Sequence, residues 1–154
     1  KWGEFVKSKP IQIKGQETRW RILGKYDLVS TNDDGTIGLI DCKVSDSDRD
    51  NGPFYAPQLE AYAYSLENPA SGPAKKVSVL GLLVWSPVSP VGDPVAGYSL
   101  KLKSSWRPIE RNPKSLERRL TEFIMVISGP TPERDSGCEQ CRYISKRREI
   151  FGGE

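Results

Sequence analysis

Three side chains able to do hydrolytic chemistry stand inside stretches that otherwise look like buried strand. Asp27 ends the run "RWRILGKYD", and Asp41 and Lys43 lie two residues apart in "GLIDCKVS". Residues two apart on a strand point to the same face, so Asp41 and Lys43 share one. If the two runs pair around the turn at 30–36, Asp27 approaches Asp41 across the ladder. Carboxylates held that close repel and raise one pKa, unless a divalent cation lies between them. Such oxygen ligands suit magnesium or manganese bound with waters and a substrate phosphate. Lys43 beside them could orient or deprotonate an attacking water, or neutralise charge developing on phosphorus. The chemistry that fits is phosphodiester hydrolysis. A plainer reading also exists for each residue: Asp27 closing a turn, and Asp41 and Lys43 forming an ordinary ion pair at a strand end.

The composition narrows the alternatives. The chain has 154 residues and no His, which removes histidine triads, histidine-ligated zinc and histidine general bases. Acid-base or metal chemistry must run on carboxylates, Lys, Tyr or Cys. Three cysteines without disulfide-like spacing point to a reducing cytoplasm. Hydrophobic residues make up 36% and charged residues 28%, as in soluble globular domains. No segment approaches the roughly 20 apolar residues of a membrane helix, so no membrane partner is expected. The first residue is Lys rather than Met, and the expectation is that the chain begins inside a longer polypeptide. A net charge of +3 is too balanced to prove a nucleic-acid partner. Its distribution says more, because basic residues crowd 101–119 and 142–148. Solvated helix faces are the plainer account of both clusters.

The site needs elements to hold it. Residues 11–29 carry two apolar runs around a polar turn, and "NDDG" at 32–35 reverses the chain into "TIGLIDCKV", which predicts a β-meander. From Tyr55 to Glu67 the period becomes helical, with Leu59, Tyr62, Ala63 and Leu66 on one face and Pro57 in the first turn. "KVSVLGLLVW" at 76–85 predicts a central strand buried on both faces, and 94–103 a strand nearer an edge. The proline-rich link at 86–94 reads as a loop. Residues 113–127 form a second amphipathic helix, ended by Gly129-Pro130. The order predicts an α/β (α+β) domain over 1–130 with a central mixed sheet flanked by helices, followed by a basic tail at 131–154.

Taken together, "GKYD" at 24–27, "IDCK" at 40–43 and "QLEAY" at 58–62 resemble the PD-(D/E)XK nuclease superfamily in its RecB-like branch. That branch includes CRISPR-adaptation exonucleases and the nuclease domains of recombination helicase-nucleases. The likeness is close over roughly 22–66 and implies a restriction-endonuclease-like core. By this resemblance Asp27 is the metal-binding Asp, Asp41 the acidic member of the (D/E)-x-K motif and Lys43 its catalytic Lys. Gln58 and Tyr62 match the Q-x-x-x-Y motif that helps position the DNA strand, the Lys or the water. Their plainer reading is a helix-end polar group and a core aromatic. Cys42 would offer its backbone carbonyl to the metal, its side chain turned to the opposite, buried face. Mg2+ or Mn2+ is the implied cofactor and DNA, single- or double-stranded, the implied substrate, with a helicase or other DNA-processing partner.

The sequence also departs from the pattern. Tyr26 stands where the superfamily's name has Pro, and the upstream His or Glu ligand is missing, Glu4 being a weak candidate. Cys138 and Cys141 look like a remnant of the C-terminal part of an iron-sulfur motif. With two of four ligands visible, no 4Fe-4S cluster is expected. Lys25, Arg107, Arg111, Arg118 and Arg119 are the expected phosphate contacts, joined by the tail at 142–148. Trp20 and Trp106 could stack on unpaired bases or be core aromatics. The expected function is divalent-metal-dependent DNA hydrolysis in repair, recombination or defence. The alternative is a nuclease-like fold that binds or scaffolds without cutting.

Overall fold

The computed structural model describes residues 3–46, 50–131, 133, 135 and 137–152. Two compact units are distinguished, Lys1–Leu120 and Thr121–Glu154. In the first, β1 (Phe5–Lys7) pairs antiparallel with β4 (Leu23–Lys25), and β2 (Gln12–Ile13) with β3 (Gln16–Glu17). The β2–β3 turn places Lys14 and Gly15 at φ 50° and 76°, the left-handed pair that a tight two-residue hairpin turn demands.

A four-stranded sheet in the order β5-β6-β7-β8 carries the site. Its strands are β5 (Leu28–Thr31), β6 (Ile37–Val44), β7 (Val77–Asp93) and β8 (Gly97–Ile109). β5 and β6 form the hairpin expected from "NDDG", with Gly35 at φ 78° closing it. The helix α1 (Gly52–Glu67) is the crossover that brings β7 parallel to β6, and β8 returns antiparallel as the edge strand. The result is the mixed sheet with flanking helices that the residue pattern predicts.

Leu59, Ala63 and Leu66 of α1 pack in one core with Ile37 and Leu39 of β6, Leu80, Leu82 and Val84 of β7, and Val6 and Tyr26. Each of the buried Val, Leu and Ile side chains contributes about 1.5–3 kcal/mol. α1 begins three residues before the expected Tyr55. Pro53 takes the early position that tolerates proline, and Pro57 falls inside the helix.

Two further expectations change. Residues 86–94 are not a loop, because β7 continues to Asp93 and pairs with β8 as a long two-stranded ribbon. β6 stops at Val44, opposite Trp85, so beyond that point β7 has a neighbour on one side only. Pro87 and Pro90 are tolerated there because no second ladder asks for their missing N–H groups. Nor is β7 buried on both faces: Leu80, Leu82 and Val84 are buried beneath α1, while Val79 on the other face is exposed.

α2 (Pro113–Ser128) matches its expected span and starts in the first unit. The second unit also contains α3 (Glu139–Phe151), whose N-cap is Cys138. Among the described residues, no helix is long and apolar enough to cross a membrane.

Candidate functional site

The register of the β5–β6 hairpin explains how Asp27 reaches its place. Leu28 is the last β5 residue paired with β6, opposite Ile40. One residue earlier the ladder has ended, and the Asp27 side chain takes over: its Oδ2 accepts the Cys42 N–H at 2.8 Å. A carboxylate thus satisfies a strand donor that β5 no longer reaches.

Asp41 projects onto the α1 side of the sheet, in register with the buried Leu82, and is only 3% exposed. Lys43 Nζ stands 2.7 Å from Asp41 Oδ2. That contact is a charge-assisted one of hydrogen-bond length, and Oδ2 has no other hydrogen-bond partner among the described residues. Burial pushes the Asp41 pKa up, Lys43 opposes the rise, and the neighbouring Asp27 carboxylate adds to it. For Lys43, burial works against the charge, yet the hydrogen-bond contact and charge of Asp41 outweigh it, and the pKa is raised. Lys43 is therefore a firmly protonated cation at neutral pH.

α1 supplies the remaining contacts. The Lys43 ammonium lies 4.6 Å from the centre of the Tyr55 ring, a cation–π contact that the motif reading missed. The aromatic pair Phe54-Tyr55 at the start of α1 was the available signal. Gln58 Nε2 donates to Tyr62 Oη at 2.9 Å, one helical turn apart. The Tyr62 ring also covers Gly24 of β4, where a Cβ would fall 2.3 Å from Tyr62 Cε1. Two sequence motifs therefore meet physically, and the first requires glycine because the second lays a ring across it.

The basic residues divide. Lys25 lines a shallow recess with Gly3, Asp27 and Cys42. Arg107 lines another, of about 70 Å³, with Lys43, Asn51 and Tyr55. Arg119 lines a separate recess with Pro53, Pro57 and Glu110, and Arg118 is exposed on α2. Arg111 departs from its expected role. Its Nε donates to both Glu60 oxygens at 3.2 Å, and Nη1 and Nη2 donate to Glu67 at 3.1 Å. Nη1 also donates to the Val77 carbonyl. Burial opposes its charge, the two glutamates restore it, and its pKa is raised. This guanidinium ties α1 to the end of β8 and is committed to carboxylates rather than phosphate.

Three other expectations are redirected. Cys42 is half exposed instead of facing a buried layer, because α1 covers the other side of β6. Burial, Asp27 and Asp41 together push its thiol pKa up. Glu4 accepts the Tyr26 hydroxyl at 2.8 Å and lines a recess that contains neither Asp27 nor Asp41. Trp106 lies across Gly81 on the sheet face away from Lys43. In the second unit, Cys138 Sγ accepts the Cys141 N–H at 3.3 Å.

Among the described residues, no group of three or more His, Cys, Asp or Glu gathers into a metal site. The donors that fit a hard cation are Asp27, Asp41 and the Cys42 carbonyl. The observation in their favour is the buried Asp41 carboxylate, whose pKa the neighbouring Asp27 carboxylate helps to raise, a repulsion that a cation between them would relieve.

The family model of the PD-(D/E)XK nuclease superfamily matches residues 3–145. The chain belongs to the PD-(D/E)XK nuclease superfamily. The superfamily's general chemistry is nuclease-type hydrolysis, and its members generally use divalent metals such as Mg2+ or Mn2+. No curated protein matches the sequence. A solved structure described as "Crystal structure of SSO0001" is 18% identical, with the match covering 91% of this chain and 57% of that one, at a TM-score of 0.48. The chain thus spans a little over half the length of that protein.

Proposed function

We propose that this superfamily member is a divalent-metal-dependent DNA nuclease of the RecB-like kind, acting in the cytoplasm in repair, recombination or defence. The observation that carries the reading is the convergence of Asp27, Asp41 and Lys43, with the Asp41 carboxylate buried against the Lys43 ammonium and close enough to Asp27 for their charges to oppose each other. Asp27, Asp41 and the Cys42 carbonyl would hold magnesium or manganese. When bound, that ion supplies a Lewis acid for the phosphate and lowers the pKa of a bound water.

The chain's own residues do the rest. Lys43, braced on Tyr55, presents positive charge to the phosphate whose bond is cut. Gln58 and Tyr62, hydrogen-bonded to each other, orient the strand at the mouth of the site. Lys25 and Arg107, one in each neighbouring recess, hold flanking phosphates.

A second reading is a nuclease fold that binds DNA within a larger assembly and does not cut. It draws on Glu4, the upstream carboxylate, being engaged by Tyr26. Labelled single- and double-stranded DNA incubated with Mg2+ or Mn2+ separates the two. Cutting by the wild type that is lost in Lys43→Ala supports the nuclease. Binding without cutting by the wild type favours the second reading.

A further inference from the structure

The β7–β8 ribbon extends past the end of β6 and its two faces differ in chemistry. Strand alternation and register place Lys43, Val84 and Ser105 in one row across the sheet, with Asp41, Leu82 and Arg107 in the next. Followed outward along β8, the face shared with Lys43 presents Arg107, Ser105, Lys103, Lys101 and Ser99. Ser86 opposes Lys103 and Ser89 opposes Lys101, so the partner strand adds hydroxyls to the same face. The opposite face carries Pro87, Pro90, Tyr98, Leu100 and Leu102.

Both lysines are exposed. Within 86–104 the one carboxylate is Asp93, and it is occupied at the tip, where it accepts the Val95 and Ala96 N–H groups at 2.8 Å. Those hydrogen bonds hold its pKa low. The site-facing side of the ribbon therefore carries lysines and hydroxyls, with Val91 opposite Ser99 and the engaged Asp93, opposite Gly97, at its tip. Alternate residues on a strand are about 7 Å apart, so Lys103 and Lys101 lie about 7 and 14 Å beyond the Lys43 row. Successive phosphates of an extended strand are spaced on that scale. The row is one residue wide, which suits one strand rather than the two phosphate backbones of a duplex.

We infer that the ribbon is a phosphate track that holds a single nucleic-acid strand running from the site, with Lys103 and Lys101 each taking a phosphate. The inference rests on the nuclease reading for the nature of the ligand. The ribbon contributes affinity and path to the substrate, and the chemical step stays with Asp27, Asp41 and Lys43.

The test is the salt dependence of binding, measured by fluorescence polarisation of a labelled single-stranded DNA without divalent metal, using the full chain. Two lost phosphate contacts reduce the slope of log K against log salt by about 1.4 for single strands. The Lys101→Ser/Lys103→Ser variant should show that reduction, the Lys101→Arg/Lys103→Arg variant should restore the slope, and both should keep the wild-type melting temperature. With metal, kcat should hold while KM rises in the serine variant. An unchanged slope in the serine variant, with a wild type that cuts DNA, would overturn the track and leave the nuclease standing. The lysines would then be guards against strand pairing on an exposed edge. A loss of about 1.8 on duplex with none on single strands would overturn the single-strand assignment. The reduced slope in a protein that does not cut would keep the track and remove the catalytic reading, and no binding by the wild type would remove both.

Discussion

Replacing Asp27 separates its two duties. In the structure this carboxylate accepts the Cys42 N–H at 2.8 Å at the point where β5 no longer pairs with β6. A hydrogen bond to a charged group contributes about 1.5–3 kcal/mol net. Asp27→Ala removes the acceptor and leaves the half-exposed Cys42 with an unpaired donor, so the loss should fall within that range. For a domain of this size each kcal/mol moves Tm by about 2–4 °C, which places the drop at about 3–12 °C. Asp27→Asn keeps an amide oxygen in the same place and should cost no more than about 1 kcal/mol. Both variants lose the charge, so both should lose metal-dependent cleavage to a similar extent. The assay is a pair of urea or thermal melts alongside a cleavage time course. Equal stability of the Ala and Asn variants would refute the claim that Asp27 stands in for a missing ladder partner. Full activity in Asp27→Asn would refute its place in the site.

Other outcomes follow from the same contacts. Gly24→Ala would set a Cβ 2.3 Å from Tyr62 Cε1, forcing the ring back by about 1 Å. The expected cost is about 1–3 kcal/mol. In a double-mutant cycle with Tyr62→Ala that cost should largely vanish, and strict additivity would contradict the contact. Manganese should raise the wild-type melting temperature, by up to about 2.7 kcal/mol of stabilisation at a hundredfold excess over Kd, and should leave Asp41→Asn unmoved. Arg111→Met would strand Glu60 and Glu67 without their shared cation and should cost about 3–5 kcal/mol by denaturant titration, far more than removal of an exposed phosphate contact. Burial, aided by Glu4, pushes the Tyr26 pKa up to about 12 from 10. The folded state then holds that proton more tightly, so the contribution is whole below pH 10 and lost as pH rises through 12. The wild type should shed about 2–3 kcal/mol across that window. Tyr26→Phe should not, and parallel pH profiles for the two would contradict this.

Much of the site was legible because its signals are local. The spacing of Asp41 and Lys43 places them on one face of a strand whatever the surroundings, and "NDDG" sets the hairpin that carries Asp27 toward them. The helical period of Leu59, Ala63 and Leu66 likewise names the face of α1 that meets the sheet. Neighbours that are remote in sequence decided the rest. Residues 86–94 looked like a loop because prolines break ladders, and only the end of β6 at Val44 reveals that β7 had no second ladder there to break. Arg111 looked like one more cation in a basic run, until the fold brought Glu60 and Glu67 from 51 and 44 residues away onto its guanidinium. Cys42 lost its expected cover because α1 lies on the opposite side of β6. Periodicity thus fixed which face each residue occupies, a property of a few consecutive dihedral angles. Which neighbours meet each face, and therefore which charges are spent on the fold and which remain for substrate, was decided by tertiary packing alone.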